Sequence, residues 1–196
     1  MEYEALERVL GHTFQNRALL ETALTHTSFA NEARHGTKHN ERLEFLGDSV
    51  LSIVVAEYLF THSSLPEGDL TRMRASLVCE AALFGFAQKI DLGRWLRLGH
   101  GEELGGGRTR PSVVSDAFEA VIAALYLDGG IEAARAFILP FVTSALTKQS
   151  AEEDYKTKLQ EIVQQNPSER LRYVVASQTG PDHDKHFVVE VHLNSN

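Results

Sequence analysis

Between Asn40 and Leu51 the chain reads NERLEFLGDSVL, three carboxylates set into a segment whose other positions are largely apolar. On an α-helix, at about 100° per residue, Glu41, Glu44 and Asp48 fall within an arc of about 60° and point the same way. Leu43, Phe45, Leu46, Val50, Leu51, Ile53, Val54 and Val55 leave such a helix almost no polar face. It is therefore expected to run through a core, where unpaired ionised side chains are rarely tolerated. A cation has to come from elsewhere.

A second acidic pair, Asp116 and Glu119 in VVSDAFEAVIAALYLDGG, is also spaced by about one helical turn inside an apolar run. Two unit charges about 4 Å apart repel by roughly 4 kcal/mol at an effective dielectric near 20. A meeting of Glu44, Asp48, Asp116 and Glu119 would thus be strongly unfavourable without bound metal, and a ligand set made only of oxygens favours Mg²⁺ or Mn²⁺. Carboxylates one turn apart are more often just the solvated face of an amphipathic helix. Here there is little such face: Glu57 is the only other acid from Leu43 to Phe60, and no other charge lies between Val113 and Leu127. The pattern alone leaves both meanings open.

Helical periodicity dominates the first 148 residues, with helices expected over Glu2 to Leu10, Asn16 to Leu24, Glu41 to His62, Gly68 to Ile90, Val113 to Asp128 and Ile131 to Thr147. This describes an all-α domain. The Gly-rich stretch Gly93 to Ser112 is expected to be a loop; it lacks the G-x-x-x-x-G-K-[ST] phosphate-binding pattern. Glu32 and His35 form a single E-x-x-H where a di-iron bundle needs two such motifs, and His35 and His39, spaced i, i+4 across Gly36 and Thr37, are assigned to a loop. Residues 149–153 form a polar linker, after which the pattern changes. DYKTKLQEIVQQ is expected to be a short helix, RLRYVVASQ and HFVVEVHL strands, and TGPDHDK the turn-rich loop between them.

A length of 196 residues with 43% hydrophobic content suits one full domain and a small one. The single Cys excludes a disulfide framework within the chain and fits a reducing compartment. No apolar run reaches membrane-spanning length and Met1 leads straight into EYEALER, so a cytoplasmic protein without membrane attachment is expected. There is no G-x-S-x-G motif to suggest a serine nucleophile. The net charge of −8 runs against the basic footprint of a nucleic-acid binder, although Arg72 with Arg74, and Arg108 with Arg110, form local clusters able to face phosphates.

NERLEFLGDSVL resembles the signature of the ribonuclease III family, the double-stranded RNA endonucleases. The resemblance continues, in the family's order, through LTHTSFANE (Leu24 to Glu32), LPEGDLTRMRASLV (Leu65 to Val78), LGHGEELGGGRTRPS (Leu98 to Ser112) and SDAFEAVIAALYLDGG (Ser115 to Gly130). It implies a helical endonuclease domain over 1–148 whose metal ligands are Glu44, Asp48, Asp116 and Glu119. Asp48, Glu119 and Glu41 would serve catalysis, and Glu67 would lie along the RNA-cleavage valley. The implied cofactor is Mg²⁺, with Mn²⁺ able to substitute. The implied reaction is hydrolysis of phosphodiesters in double-stranded RNA to 5′-phosphate and 3′-hydroxyl ends, in ribosomal precursor processing and the maturation or turnover of structured RNA. Family members form homodimers. Cys79 stands where an arginine is frequent and Ala123 where a glycine is common, departures that touch no ligand position.

Residues 154–196 resemble the first half of a double-stranded RNA-binding domain, which reads minor grooves by shape and 2′-hydroxyl contacts. The match makes Gln160, Gln164 and His183 candidate groove contacts. A truncated α+β domain, too small for independent stability and weak in RNA affinity, is expected. Competing readings are a non-cleaving double-stranded RNA-binding regulator, a helical scaffold protein, and a metal phosphohydrolase acting on small nucleotides.

Overall fold

The computed structural model describes residues 3–33, 36–164, 171–179 and 186–193. The chain divides into two compact units, Met1–Ala145 and Leu146–Asn196. The helices are α1 (Glu4–Leu10), α2 (Arg17–Ala23), α3 (Thr27–Glu32), α4 (Glu41–His62), α5 (Glu67–Val78), α6 (Glu80–Lys89), α7 (His100–Leu104) and α8 (Pro111–Gln164), followed by strands β1 (Leu171–Thr179) and β2 (His186–Leu193).

Local chemistry sets the ends of several helices. Gly11 closes α1 in the left-handed region at φ 69°, its N–H bonding to the Arg8 carbonyl, a conformation glycine adopts without steric penalty. The Asn16 side chain caps α2 by accepting from Ala18 N–H at 3.3 Å. Pro111 opens α8 with its φ already set for a helix. Gly130, at φ 74° and ψ −176°, breaks α8 between the two helices expected there. Beyond it the helix runs past Pro140 to Gln164, so 149–153, expected as a linker, is helical.

The core of the first unit surrounds α8. Every side chain from Ala120 to Leu125 is fully enclosed, as expected for a helix apolar all round. Leu51, Val54 and Val55 of α4, Leu77 of α5, Leu83 and Phe86 of α6, Leu6 of α1, Leu20 of α2 and Leu24 just after it are buried with it. Phe86, Phe118, Phe137 and Phe141 form an aromatic cluster with neighbouring centroids 5.2 to 6.2 Å apart. Burial of a side chain such as Phe118 stabilises by roughly 1.5–3 kcal/mol. A carboxylate fastens the N-terminal segment: Asp128 of α8 accepts from Gln15 N–H at 2.9 Å and Asn16 N–H at 2.8 Å, and pairs with His12 at 2.8 Å.

Three expectations need correction. α4 is not enclosed: Leu43, Val50, Leu51, Val54, Val55 and Leu59 are buried, but Phe45, Ile53 and Phe60 are 79%, 58% and 76% exposed. The single helix expected over Gly68 to Ile90 is two, parted at Cys79, whose backbone is extended (φ −75°, ψ 157°). On one continuous helix Leu77 and Leu83 would lie about 120° apart; the break lets both reach the core. The stretch from Gly93 to Ser112, expected as a loop, contains most of the 3₁₀ turn Leu92–Trp95, then α7 and the 3₁₀ turn Gly107–Thr109.

In the second unit β1 pairs antiparallel with β2, Leu171 opposite Leu193 and Thr179 opposite His186, with a bulge between Val175 and Ser177. Tyr173, Val174, Val175, Val188, Val189 and Val191 are exposed along the hairpin. No third strand occurs among the described residues.

Candidate active site

The acidic centre depends on a close approach of two helix backbones. A Cβ placed on Gly47 of α4 would lie 1.8 Å from the Glu119 carbonyl oxygen of α8 and 2.5 Å from its carbonyl carbon. Only glycine permits that approach. Glu44 precedes the crossing by one turn on α4, and Asp116 and Glu119 lie along the facing stretch of α8. One carboxylate oxygen from each of Glu44, Asp116 and Glu119 lies within 4.8 Å of the others, all three side chains being half-buried. Asp48 is exposed and stands outside that trio, yet among neighbouring charges it acts most strongly on Glu119.

Electrostatics follow from the crowding. Burial first, and then the charges of Asp48, Asp116 and Glu44, push the Glu119 carboxyl up to about 8. Glu44 is raised by burial and by Asp116, Glu41 and Asp48. Asp116 is raised by burial and by Glu80, with His26 opposing. Among the described residues no Lys or Arg forms an ion pair with Glu44, Asp48, Asp116 or Glu119. Clustered carboxylates with no Lys or Arg counter-charge among the described residues, one of them pushed up to about 8 chiefly by burial, form a donor set suited to a hard divalent ion.

The remaining candidates lie further out. Glu41 is exposed beside His39, 3.8 Å away, on the rim where its charge reaches Glu44. Glu67 opens α5, exposed, and accepts from the Thr71 hydroxyl at 2.8 Å. Arg72 pairs with Asp69 on the surface, and Arg74 is exposed without an ion pair among the described residues. Arg108 and Arg110 do not present free guanidinium groups to phosphates. Arg108 grips both Glu103 oxygens at 2.6 Å and donates to the carbonyls of Gly93, Arg94 and Leu96, and its hydrogen bond holds the Glu103 carboxyl below its usual range. Arg110 pairs with Glu102 and donates to the Gly105 carbonyl at 3.0 Å. These arginines order the Gly-rich segment. Gln160 and Gln164 lie in the last turns of α8, whereas His183, like His35, falls outside the described residues.

Gly47, Glu80 and His26 were not singled out by the sequence. Glu80 carried no periodic signal because it opens a separate helix, and Gly47 sat unremarked inside the motif. A serine–histidine pair also exists that spacing did not suggest: His26 Nδ1 lies 2.8 Å from Ser28 Oγ. Ser28 Oγ accepts from Gly99 N–H at 2.9 Å, so the pair caps a helix and ties down a loop.

Fold and site together define a helical domain with an acidic centre fit for a divalent metal ion, followed by a segment ending in a β-hairpin. Comparison with known proteins makes the class specific. A family model described as ribonuclease-III-like matches residues 16–146, and one described as a double-stranded RNA binding motif matches residues 155–196. Ribonuclease 3 of Caldanaerobacter subterraneus subsp. tengcongensis is 47% identical over 192 residues, covering 96% of this chain and 84% of that protein. Ribonuclease 3 of Desulforamulus reducens is 49% identical over 191 residues, covering 95% and 78%. A solved nuclease domain of ribonuclease III from Campylobacter jejuni superposes with a TM-score of 0.67 at 42% identity, over 72% of this chain and 96% of that one. Dicer from Pichia stipitis reaches 0.51 at 28% identity, over 94% and 84%. The chain belongs to the ribonuclease III family. No helix among the described residues is long and apolar enough to cross a membrane.

Proposed function

We propose that this chain is a Mg²⁺-dependent endoribonuclease that hydrolyses phosphodiester bonds in double-stranded RNA, leaving 5′-phosphate and 3′-hydroxyl ends. The observation that carries the reading is the meeting of Glu44, Asp116 and Glu119 at a helix crossing with no basic partner, Asp48 beside them. Glu44, Asp48, Asp116 and Glu119 hold the metal, and Mn²⁺ suits the same oxygens. When bound, the ion supplies Lewis-acid polarisation of the phosphoryl group and a lowered pKa for attacking water.

The protein's own contribution is geometry and proton control. Asp48, exposed beside Glu119, faces the solvent from which the attacking water comes and orients it. Glu119, whose environment favours its protonated form, and Glu41 on the rim complete the acidic constellation. Water attacks phosphorus and the 3′ oxygen leaves, so no side-chain nucleophile is required. Glu67, Arg72 and Arg74 lie on α5 as RNA-facing candidates, and residues 155–196, with Gln160, Gln164 and His183, dock the duplex by its minor grooves. The cellular role that follows is cytoplasmic maturation of ribosomal precursors and turnover of structured RNA.

The working form is a homodimer. Phe45, Ile53 and Phe60 lie exposed along α4, and a face of large apolar side chains on a soluble domain marks an interaction surface. The Campylobacter jejuni structure is described as having flexibility in a region involved in dimer formation of that nuclease domain.

The test is cleavage of a long RNA duplex by this chain with Mg²⁺, with EDTA, and as Glu119→Ala, beside a single-stranded control. Metal-dependent cutting confined to the duplex and abolished in the variant supports the reading. Binding without cutting at low salt would replace it with a non-cleaving regulator, and equal cutting of single strands with a general phosphohydrolase.

A further inference from the structure

A cavity of about 520 Å³ lies between α2, the segment just before α4, the start of α4 and Leu127 of α8, a volume usual for small-molecule sites. Arg42, Leu43 and Leu46 line it from α4. At about 100° per residue their mean direction is roughly opposite that of Glu41, Glu44 and Asp48. The cavity is therefore separate from the acidic centre.

Its wall is aliphatic. Leu19, Leu43, Leu46 and Leu127 supply it; Leu43 is buried, Leu19 and Leu46 are half-buried, and Leu127 is left 50% exposed. No aromatic ring is among the lining residues. The polar side chains of α2 at the cavity are already engaged, the Thr22 hydroxyl donating to the Ala18 carbonyl at 2.7 Å and the Asn16 side chain accepting from Ala18 N–H. A nucleobase is held by stacking and by hydrogen bonds to its edges, which this wall does not offer. A hydrocarbon chain, by contrast, would take apolar surface out of water.

The charge at the cavity is of one sign. Lys38 and Arg42 line it, both exposed, and no acid is among the lining residues, although the chain has 27 Asp and Glu against 19 Lys and Arg. Other arginines of this unit are taken: Arg17, Arg97, Arg108, Arg110 and Arg135 each hold a carboxylate. Lys38 and Arg42 have no hydrogen bond or ion pair among the described residues. His39 also lines the cavity, its Nδ1 3.8 Å from the Glu41 carboxylate.

We propose that this cavity binds a small aliphatic anion, its chain lying against Leu19, Leu43, Leu46 and Leu127 and its carboxylate or phosphate group held by Lys38 and Arg42. Arg42 can meet either group with two parallel N–H donors, and Lys38 adds a point charge. The hydrocarbon stems of both side chains can cover the ligand's chain while their charges stay at the mouth. The site does not depend on the nuclease reading above.

The test is calorimetric titration of the full chain with decanoate, octanoate and octyl phosphate, beside 1-octanol and adenosine monophosphate as controls. Wild type, Leu127→Gln and the double variant Lys38→Gln/Arg42→Gln are compared. Decanoate is expected to bind at one site per chain, and octanoate roughly 15-fold more weakly for two fewer buried methylenes. Both octyl anions should bind more tightly than either control; binding by only one of them still supports the site and identifies its head group. The double variant should lose roughly tenfold in affinity for decanoate, as for a lost hydrogen bond to a charged group, and Leu127→Gln should weaken it as well. The altered side chains are exposed, so the variants should melt like wild type without ligand, while the rise in melting temperature with decanoate should shrink with affinity. In ¹⁵N NMR spectra decanoate should move the amide signals of Thr22, Lys38, Arg42 and Leu127. Shifts gathered instead at Phe45, Ile53 and Phe60, an affinity indifferent to the double variant, adenosine monophosphate binding as tightly as decanoate, or no binding by either class of aliphatic anion each overturns the proposal and leaves the nuclease reading intact.

Discussion

Substituting Gly47 by alanine places a methyl group where two helices already touch. Helix propensity alone would make Gly47→Ala stabilising by about 1 kcal/mol, since glycine is a poor residue in a helix interior. Sterics oppose this. The new Cβ would lie 1.8 Å from the Glu119 carbonyl oxygen, and real Cβ contacts essentially never fall below 3.0 Å. α4 and α8 must therefore separate locally by about 1.2 Å, and the obstacle is backbone, which cannot rotate away as a side chain could. Overpacking of this kind costs roughly 1–3 kcal/mol or more, so a net loss of about 2 kcal/mol is expected, lowering the melting temperature by about 4–8 °C for a chain of this size. Activity should suffer more, because the same displacement separates Glu44 from Asp116 and Glu119; misplacement by about 1 Å can reduce a rate on the order of 100-fold. Gly85→Ala on α6 is the control, with nothing within 4 Å of its Cβ, and should stabilise by about 1 kcal/mol. Thermal melts and duplex-cleavage rates of both variants decide the matter. A Gly47→Ala protein that melts with Gly85→Ala, above wild type, and cuts at the wild-type rate would refute the crossing as the determinant of the site.

Glu119 binds its proton more tightly folded than unfolded, its carboxyl being raised from 4.5 to about 8. Its contribution to stability is present below about pH 4.5 and lost as pH climbs through about 8, by ~2 kcal/mol once the shift is roughly halved for solvent screening. Metal-free melts should decline over that window in wild type and decline less in Glu119→Gln; equal slopes would contradict the burial cause. Phe60→Glu should weaken dimerisation on the order of 10²- to 10⁴-fold in sedimentation equilibrium, from roughly 1.5–3 kcal/mol at each of two symmetry-related side chains; an unchanged dimer would place the interface elsewhere. Arg108→Ala should lower the melting temperature and leave the salt dependence of RNA binding unaltered, whereas Arg74→Ala should leave stability alone and reduce the salt slope by about 1. The reverse pattern would return Arg108 to the phosphate contacts.

The acidic centre was legible because carboxylates in apolar helices violate the rule for burial, and the helical period then says which of them share a face. Periodicity carries no information about which apolar positions meet the chain's own core. Phe45 and Ile53 read as core residues alongside Leu51 and Val54, and only packing separates the two sets. The role of Gly47 was hidden for a related reason: a glycine inside a helix has no pattern of its own, and its meaning lies in the backbone atom opposite. The partners of Arg108 and Arg110 were hidden because the Gly-rich segment looked structureless. Its Glu102 and Glu103 supply partners only once α7 and the following turn bring them round. The break at Cys79 had no Gly or Pro to announce it, being imposed by where Leu77 and Leu83 must go.

The carboxylate of Asp128 reaches back 112 residues to Asn16 N–H and 116 to His12. On the ribosome that anchor is made late. At about 5–20 residues per second it emerges roughly 6 to 23 seconds after the segment it holds. In that interval α1 and α2 exist without their clamp, and Leu6, Leu10, Leu20 and Leu24, all buried in the finished fold, are open to chaperones and to neighbouring nascent chains.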